Sequence, residues 1–168
     1  MFWDVPGDWR EVQISIDHHL SVYAGRSGVL VEVAGAIAGK IDSLESVLDN
    51  LCERTCPDCR EPCCVRATVR YDFRDLVFLH FLWKGLPVGQ PSAVAGKACS
   101  CLGDKGCVIP RMVRPFMCTW YLCPAQMALV RAAEAGSEAF LVGWLREIQE
   151  CRKALERGFL QIVSPYGK

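Results

Sequence analysis

From Leu30 onward, apolar residues recur at steps of three and four: Leu30, Val33, Ile37, Ile41, Leu44, Leu48 and Leu51. That period puts them on one stripe of an amphipathic helix over 29–51, with Asp42, Glu45, Ser46 and Asp49 on the opposite face. Upstream, Val12, Ile14 and Ile16 alternate with Gln13, Ser15 and Asp17, which predicts a short strand, and residues 23–28 read as a turn. The segment 52–64 holds five cysteines and two prolines and predicts a loop of tight turns. Residues 65–71 alternate and favour β-structure, so a second short strand is expected there. Asp72 to Asp75 then cap an almost wholly apolar helix, Leu76 to Lys84, which ends at Gly85 and is expected to be buried.

Residues 85–98 form a Gly/Pro/Ala/Ser-rich connection, and 99–123 carry a second cysteine group in irregular structure. After Pro124 the helical period returns. Met127, Val130 and Ala133 mark a helix over 125–135. Ser137 is the expected N-cap of another over 138–157, whose stripe is Phe140, Leu141, Trp144, Leu145, Ile148, Cys151 and Leu155, with Gly158 closing it. Glu138 in its first turn and Arg152, Lys153 and Arg157 near its end suit the helix dipole. The fold class predicted is mainly α with minor short strands. It is a small, irregular, metal-stapled single domain over 1–168, with a cysteine core at 52–124 between the helix 29–51 and the helices of 125–157. The helices are expected to pack around 76–84, and the two cysteine loops to meet at one end.

Charge narrows the function classes. Lys+Arg and Asp+Glu balance at 19 each, so no overall basic field draws the chain to nucleic acid or to an anionic membrane. The longest apolar run, Val29 to Gly39, is broken by Glu32 and is too short to span a bilayer. Residues 1–8 have neither a basic nor an apolar leader region, so a cytoplasmic location is expected.

Cysteine changes the picture most. There are eleven in 168 residues. An odd count, an adjacent Cys63-Cys64 pair and a reducing compartment argue against a disulfide framework and for metal. The first group is Cys52-x3-Cys56-x2-Cys59-x3-Cys63-Cys64, and the second is Cys99-x-Cys101-x5-Cys107-x10-Cys118-x4-Cys123. Short spacings aim two sulfurs at one ion with little loop-closure cost, and four sulfurs select zinc or an iron–sulfur cluster. Cys56-Pro57 and Cys123-Pro124 are compatible with a ferredoxin-like loop without deciding between the metals. Arginines crowd the same segments, among them Arg60, Arg111 and Arg114, and are candidates to donate hydrogen bonds to sulfur. His18, His19 and His80 lie far from the cysteine runs in sequence and read as ordinary surface or core residues.

These residues resemble a known family. Cys56-x2-Cys59-x3-Cys63-Cys64, Cys101-Leu102, Gly106-Cys107-Val108-Ile109-Pro110, Arg114-Pro115-Phe116-Met117-Cys118 and Cys123 are similar to the pattern of the zinc- or iron-chelating cysteine-cluster proteins of the CxxCxxCC, YkgJ type. The likeness covers about 52–124. It departs in the extra residue before Cys63-Cys64 and in Pro110, where an aromatic is common. It implies eight metal ligands: Cys56, Cys59, Cys63, Cys64, Cys101, Cys107, Cys118 and Cys123. Cys52 and Cys99 are further candidates, and Cys151 is read as a core thiol. The implied cofactor is an iron–sulfur cluster, [4Fe–4S], with Zn²⁺ as the alternative. A relative with a similar domain, the flagellin lysine N-methylase, points toward iron–sulfur.

The function expected is a non-enzymatic metal protein for metal handling, electron transfer or binding a protein partner. The alternative is an iron–sulfur-dependent enzyme performing methyl transfer or chemistry related to S-adenosylmethionine. Cys52-x3-Cys56-x2-Cys59 has the spacing of radical S-adenosylmethionine enzymes, but it follows a helix instead of a barrel's first strand and sits in a chain too short for that barrel.

Overall fold

The computed structural model describes residues 6–22, 28–83, 87, 89–91, 97–104 and 106–164. Helices dominate, as the apolar periods require: α1 (Pro6–Val22), α2 (Gly28–Thr55), α3 (Cys63–Arg66), α4 (Phe73–Trp83), α5 (Met117–Trp120), α6 (Pro124–Arg131) and α7 (Ser137–Val163). A two-residue hairpin, β1 (Leu102–Gly103) with β2 (Gly106–Cys107), is the only sheet among the described residues. A 3₁₀ turn spans Arg111–Val113.

The centre is a three-helix packing of α2, α4 and α7. The α2 stripe is buried at Leu30, Ala34, Ile37, Ile41, Leu44, Leu48 and Leu51. Helix α4 buries Leu76, Val77, Phe78, Leu79 and Phe81, as a helix apolar on nearly every side must. From α7 come Leu141, Leu145, Ile148, Leu155 and Phe159. Helices α2 and α7 run antiparallel: Leu30 meets the backbone at Gly158, and Lys40 pairs with Glu147 at 2.6 Å.

Several elements differ from expectation. The predicted strand at 12–16 lies inside α1. Val12 and Ile16 are one helical turn apart and face the core while Ile14 is exposed, so three alternating residues were too few to separate the two periods. Helix α2 runs on through Cys52 to Thr55. The strand expected at 65–71 is instead the single turn α3 followed by extended chain with Val69 and Tyr71 buried. No strand pairs with it among the described residues. The Gln90 side chain takes that role, accepting the Tyr71 N–H at 2.7 Å and donating to its carbonyl at 3.0 Å.

At α4 the cap is reciprocal: Asp72 accepts the Asp75 N–H at 2.8 Å and Asp75 accepts that of Asp72 at 2.9 Å. Helix α6 stops at Arg131, and Gly136, not Ser137, stands at the N-cap of α7 with φ 95°. Gly158 does not end α7. It sits inside the helix where a Cβ would lie 2.6 Å from Leu30 Cδ2, so its lack of a side chain serves close approach to α2. Phe140, expected on the stripe, is exposed. The predicted ends at Lys84 and Gly85, most of the 85–98 connection and the turn at 23–27 lie outside the described residues.

Arg152, expected to complement the helix dipole, is turned inward instead. It is buried, donates to Asp75 at 2.7 Å and Asp72 at 3.2 Å, and lies over the Phe116 ring at 4.6 Å. Asp75 also accepts the Phe116 N–H at 3.0 Å, so this pair joins α4, α7 and the second cysteine segment. Burial pushes the Asp75 carboxyl up to about 6 from 3.8, with the Arg152 charge opposing. The folded form therefore holds that proton more tightly than the unfolded chain. The stability it adds is complete below the unfolded value and is lost as pH rises through the folded one. Replacing Arg152 with Met leaves the carboxylate buried and unpaired. We expect a loss of about 3–5 kcal/mol near pH 8 in denaturant unfolding. The loss should shrink at about pH 5, where Asp75 takes up a proton; a loss equal at both pH values contradicts this account.

Candidate metal centre

All eleven cysteines are free thiols. Ten lie at one end of the molecule's long helix and in the segments folded against it. Cys52 and Cys56 are consecutive turns of one helical path, since the Cys56 N–H bonds the Cys52 carbonyl at 2.8 Å. Residues four apart on a helix share a face, and these two thiols are within hydrogen-bonding reach of each other. This helical placement corrects the loop expected from Cys52 onward. It also gives Cys52-x3-Cys56 a setting unlike a radical-enzyme loop.

The hairpin closes over this pair. Gly106, with φ 111°, brings its backbone so close that an added Cβ would stand 3.8 Å from Cys56 Sγ and 3.7 Å from Cys52 Cβ. A larger residue would be strained in that conformation and would fill the gap between hairpin and helix. Pairing of Leu102 with Cys107 and of Gly103 with Gly106 sets the hairpin's register.

A second group of sulfurs packs apart from the main core. Val69 and Cys99 are its buried residues, with Cys64, Cys101, Met117 and Cys118 against them. The two distant segments meet here through backbone as well, the Cys99 N–H donating to the Cys64 carbonyl at 2.8 Å. Cys107 belongs to the same neighbourhood: burial pushes the Cys118 thiol up to about 12, with the nearby Cys107 and Cys99 adding to it. Burial likewise raises Cys99, and it carries Cys56 to about 11, with the Cys52 charge next in effect. Cys63 goes the other way, to about 6, because the neighbouring Cys64 thiol donates to its sulfur. The same bond raises Cys64.

Two buried polar side chains converge on Cys52. Arg111, 2% exposed, donates to Cys52 Sγ at 3.8 Å while its Nε and Nη2 both hold Asp49 on α2, the Nε bond being 3.1 Å. Gln126 donates to the same sulfur at 3.5 Å and with its other end accepts the Cys123 N–H at 3.1 Å. Gln126 was missed in the sequence, although a residue three places after an N-cap with Pro124 between them is a capping-box spacing. Arg114 does not reach sulfur. It donates to the carbonyls of Ile109 at 2.6 Å and Cys107 at 3.1 Å, shaping the loop. Arg60 is exposed and touches no sulfur among the described residues.

Cys59 is exposed at the tip of its turn, and Cys123 stands half-buried at the head of α6. Cys151 packs on the main core. His80 Nδ1 lies 3.0 Å from an Asp17 carboxylate oxygen, and neither residue belongs to a sulfur group. Among the described residues no three Cys, His, Asp or Glu side chains are gathered in a geometry that closes on an ion as they stand. The donor chemistry nevertheless fits a thiophilic metal: many soft sulfurs, a buried guanidinium and a carboxamide N–H aimed at one of them.

In the metal-free, reduced chain, alkylation followed through pH should separate two thiols. Cys63 gains thiolate as pH rises through about 6, whereas Cys118 stays protonated until about 12. Site-resolved mass spectrometry near neutral pH should find Cys63 labelled well ahead of Cys118, and equal rates would contradict the geometry. In comparisons with known proteins, no family model, no curated protein and no solved structure matches this chain.

Proposed function

We propose that the chain is a thiolate-ligated metal protein that holds an iron–sulfur cluster, [4Fe–4S], with Zn²⁺ as the alternative. One observation carries this reading: sulfurs from two segments of the chain, 52–64 and 99–123, are folded against each other at the Cys64–Cys99 junction without any S–S bond. Free thiols crowded together from two segments, with no disulfide among them, supply the soft donors that a thiophilic metal takes. Cys56, Cys59, Cys63, Cys64, Cys101, Cys107, Cys118 and Cys123 are the proposed ligands, as the family resemblance implies, with Cys52 and Cys99 beside them. Bound there, an iron–sulfur group would supply one-electron chemistry, and zinc would supply a structural tie.

The role we favour is electron transfer or metal handling with a protein partner, in a reducing compartment such as the cytoplasm. Val108, Trp120 and Tyr121 are exposed apolar side chains next to Cys107, Cys118 and Cys123, which suits a partner docking at the sulfur end. No helix among the described residues is long and apolar enough to cross a membrane.

Protein purified without oxygen should carry iron and acid-labile sulfide in matching amounts and absorb broadly in the visible. Stoichiometric zinc in a colourless protein would select the alternative. Cys118→Ser should lose metal and stability, and Cys151→Ser should keep both. Metal content in Cys118→Ser equal to that of the unsubstituted chain would overturn the reading.

A further inference from the structure

The sulfurs fall into two groups, and each has its own surroundings. The first lies at the end of α2, where Cys52 and Cys56 face the Gly106 backbone. Arg111 and Gln126 both donate to Cys52 Sγ there. A neutral thiol needs no such pair of donors. A thiolate does, and charge-assisted hydrogen bonds to sulfur are what orient and steady a metal ligand. Among the described residues Arg111 and Arg114 share the one Asp49 carboxylate, two positive charges to one negative, which an anionic sulfur centre would balance. The second group is the Cys64, Cys99, Cys101 and Cys118 packing around Val69, which is a hydrophobic cluster separate from the main core. Nothing of Arg111 or Gln126 reaches it among the described residues.

The boundary between them is Cys63-Cys64. These two open the single turn α3, and successive residues of a helical turn point about 100° apart, so they do not share a face. Cys64 packs in the cluster around Val69 and its carbonyl takes the Cys99 N–H at 2.8 Å, whereas Cys63 is not a member of that cluster. Their thiols still touch, so the groups adjoin at this pair.

We infer that the thiols form two adjoining metal centres instead of one: a first anchored by Cys52 and Cys56, and a second anchored by Cys99 and Cys101, with Cys63 and Cys64 parted between them. This rests on the metal-binding reading and goes beyond it, because Cys52 and Cys99 become ligands and not bystanders. Each ligating thiol gives up its proton to solvent as the metal binds, with no change of oxidation state. Arg111 and Gln126 are positioning residues for the first centre only.

The test is titration of the reduced, metal-free chain with Co²⁺ in the absence of oxygen, following the thiolate-to-cobalt charge-transfer band. The unsubstituted chain should take up two equivalents. Cys52→Ser and Cys99→Ser should each take up one. The double variants decide the grouping: Cys52→Ser with Cys56→Ser should still bind one, and so should Cys99→Ser with Cys101→Ser. Cys52→Ser with Cys99→Ser should bind none. A single equivalent in the unsubstituted chain, loss of all binding in either single variant, or full binding in either, overturns the division. Absence of any binding by the unsubstituted chain overturns the division, and overturns the metal reading together with it where the protein as purified also holds neither iron nor zinc. Circular dichroism reports whether a variant keeps its helices, and Cys56→Ser or Cys101→Ser, each expected to bind one, replaces a single variant that does not.

Discussion

The sulfur region depends on one buried interaction, the Arg111 guanidinium held by Asp49. A cation 2% exposed must be matched by an anion and by further acceptors, because desolvating it alone costs several kcal/mol, roughly the whole margin of a small domain. Asp49 lies one turn before Cys52 on α2, so the group that satisfies Arg111 and the sulfur it points to are carried by the same rigid element. A planar guanidinium can serve both at once, whereas an ammonium would not reach across in the same geometry. The second cysteine segment is thereby tied to the first at a fixed distance from the helix end.

A matching device secures the far side. Asp75 takes the Phe116 N–H and the Arg152 guanidinium in the buried junction of α4 and α7. Gln126 holds the start of α6 and reaches Cys52. The chain from Arg111 to Gln126 is therefore pinned at its beginning and end by polar contacts to α2 and in its middle by one to α4, and Cys118 and Cys123 ride between the pins. Irregular structure tolerates this because each turn is locally bonded, as where the Cys118 N–H meets the Pro115 carbonyl at 2.8 Å.

The helical core was readable because its stripes are long. Six of the seven stripe positions named on α2 are buried, and the apolar run of α4 left no face for water. The failures share a cause: where the deciding partner is distant, local pattern is mute. Val12 to Ile16 offered an alternation too brief to exclude a helix. Residues 65–71 carry a real β-like alternation, with Val69 and Tyr71 inward, but a glutamine side chain replaces the strand that pattern implied. Arg152 sits at a position the dipole alone would explain, yet its surroundings are the carboxylates of another helix. In the sulfur region the crowding of cysteine and arginine was plain, while the choice of Arg111 over Arg60, and the part taken by Gln126, depended on which side chains the fold turns inward.

The two cores differ in what holds them. Helices α2, α4 and α7 interlock through aliphatic and aromatic side chains, and nothing about that packing needs a ligand. The satellite around Val69 and Cys99 has little apolar mass, and its remaining members are mostly thiols. Burial, with neighbouring cysteines adding to it, raises Cys99 and Cys118, so the metal-free arrangement holds their protons more tightly than water would. Under the proposed function, a thiophilic metal would meet donors already partly desolvated, and the protons would leave as it binds. The rigid helical body supplies the gathering; the ion, under the proposed function, supplies what the small apolar content of the satellite does not.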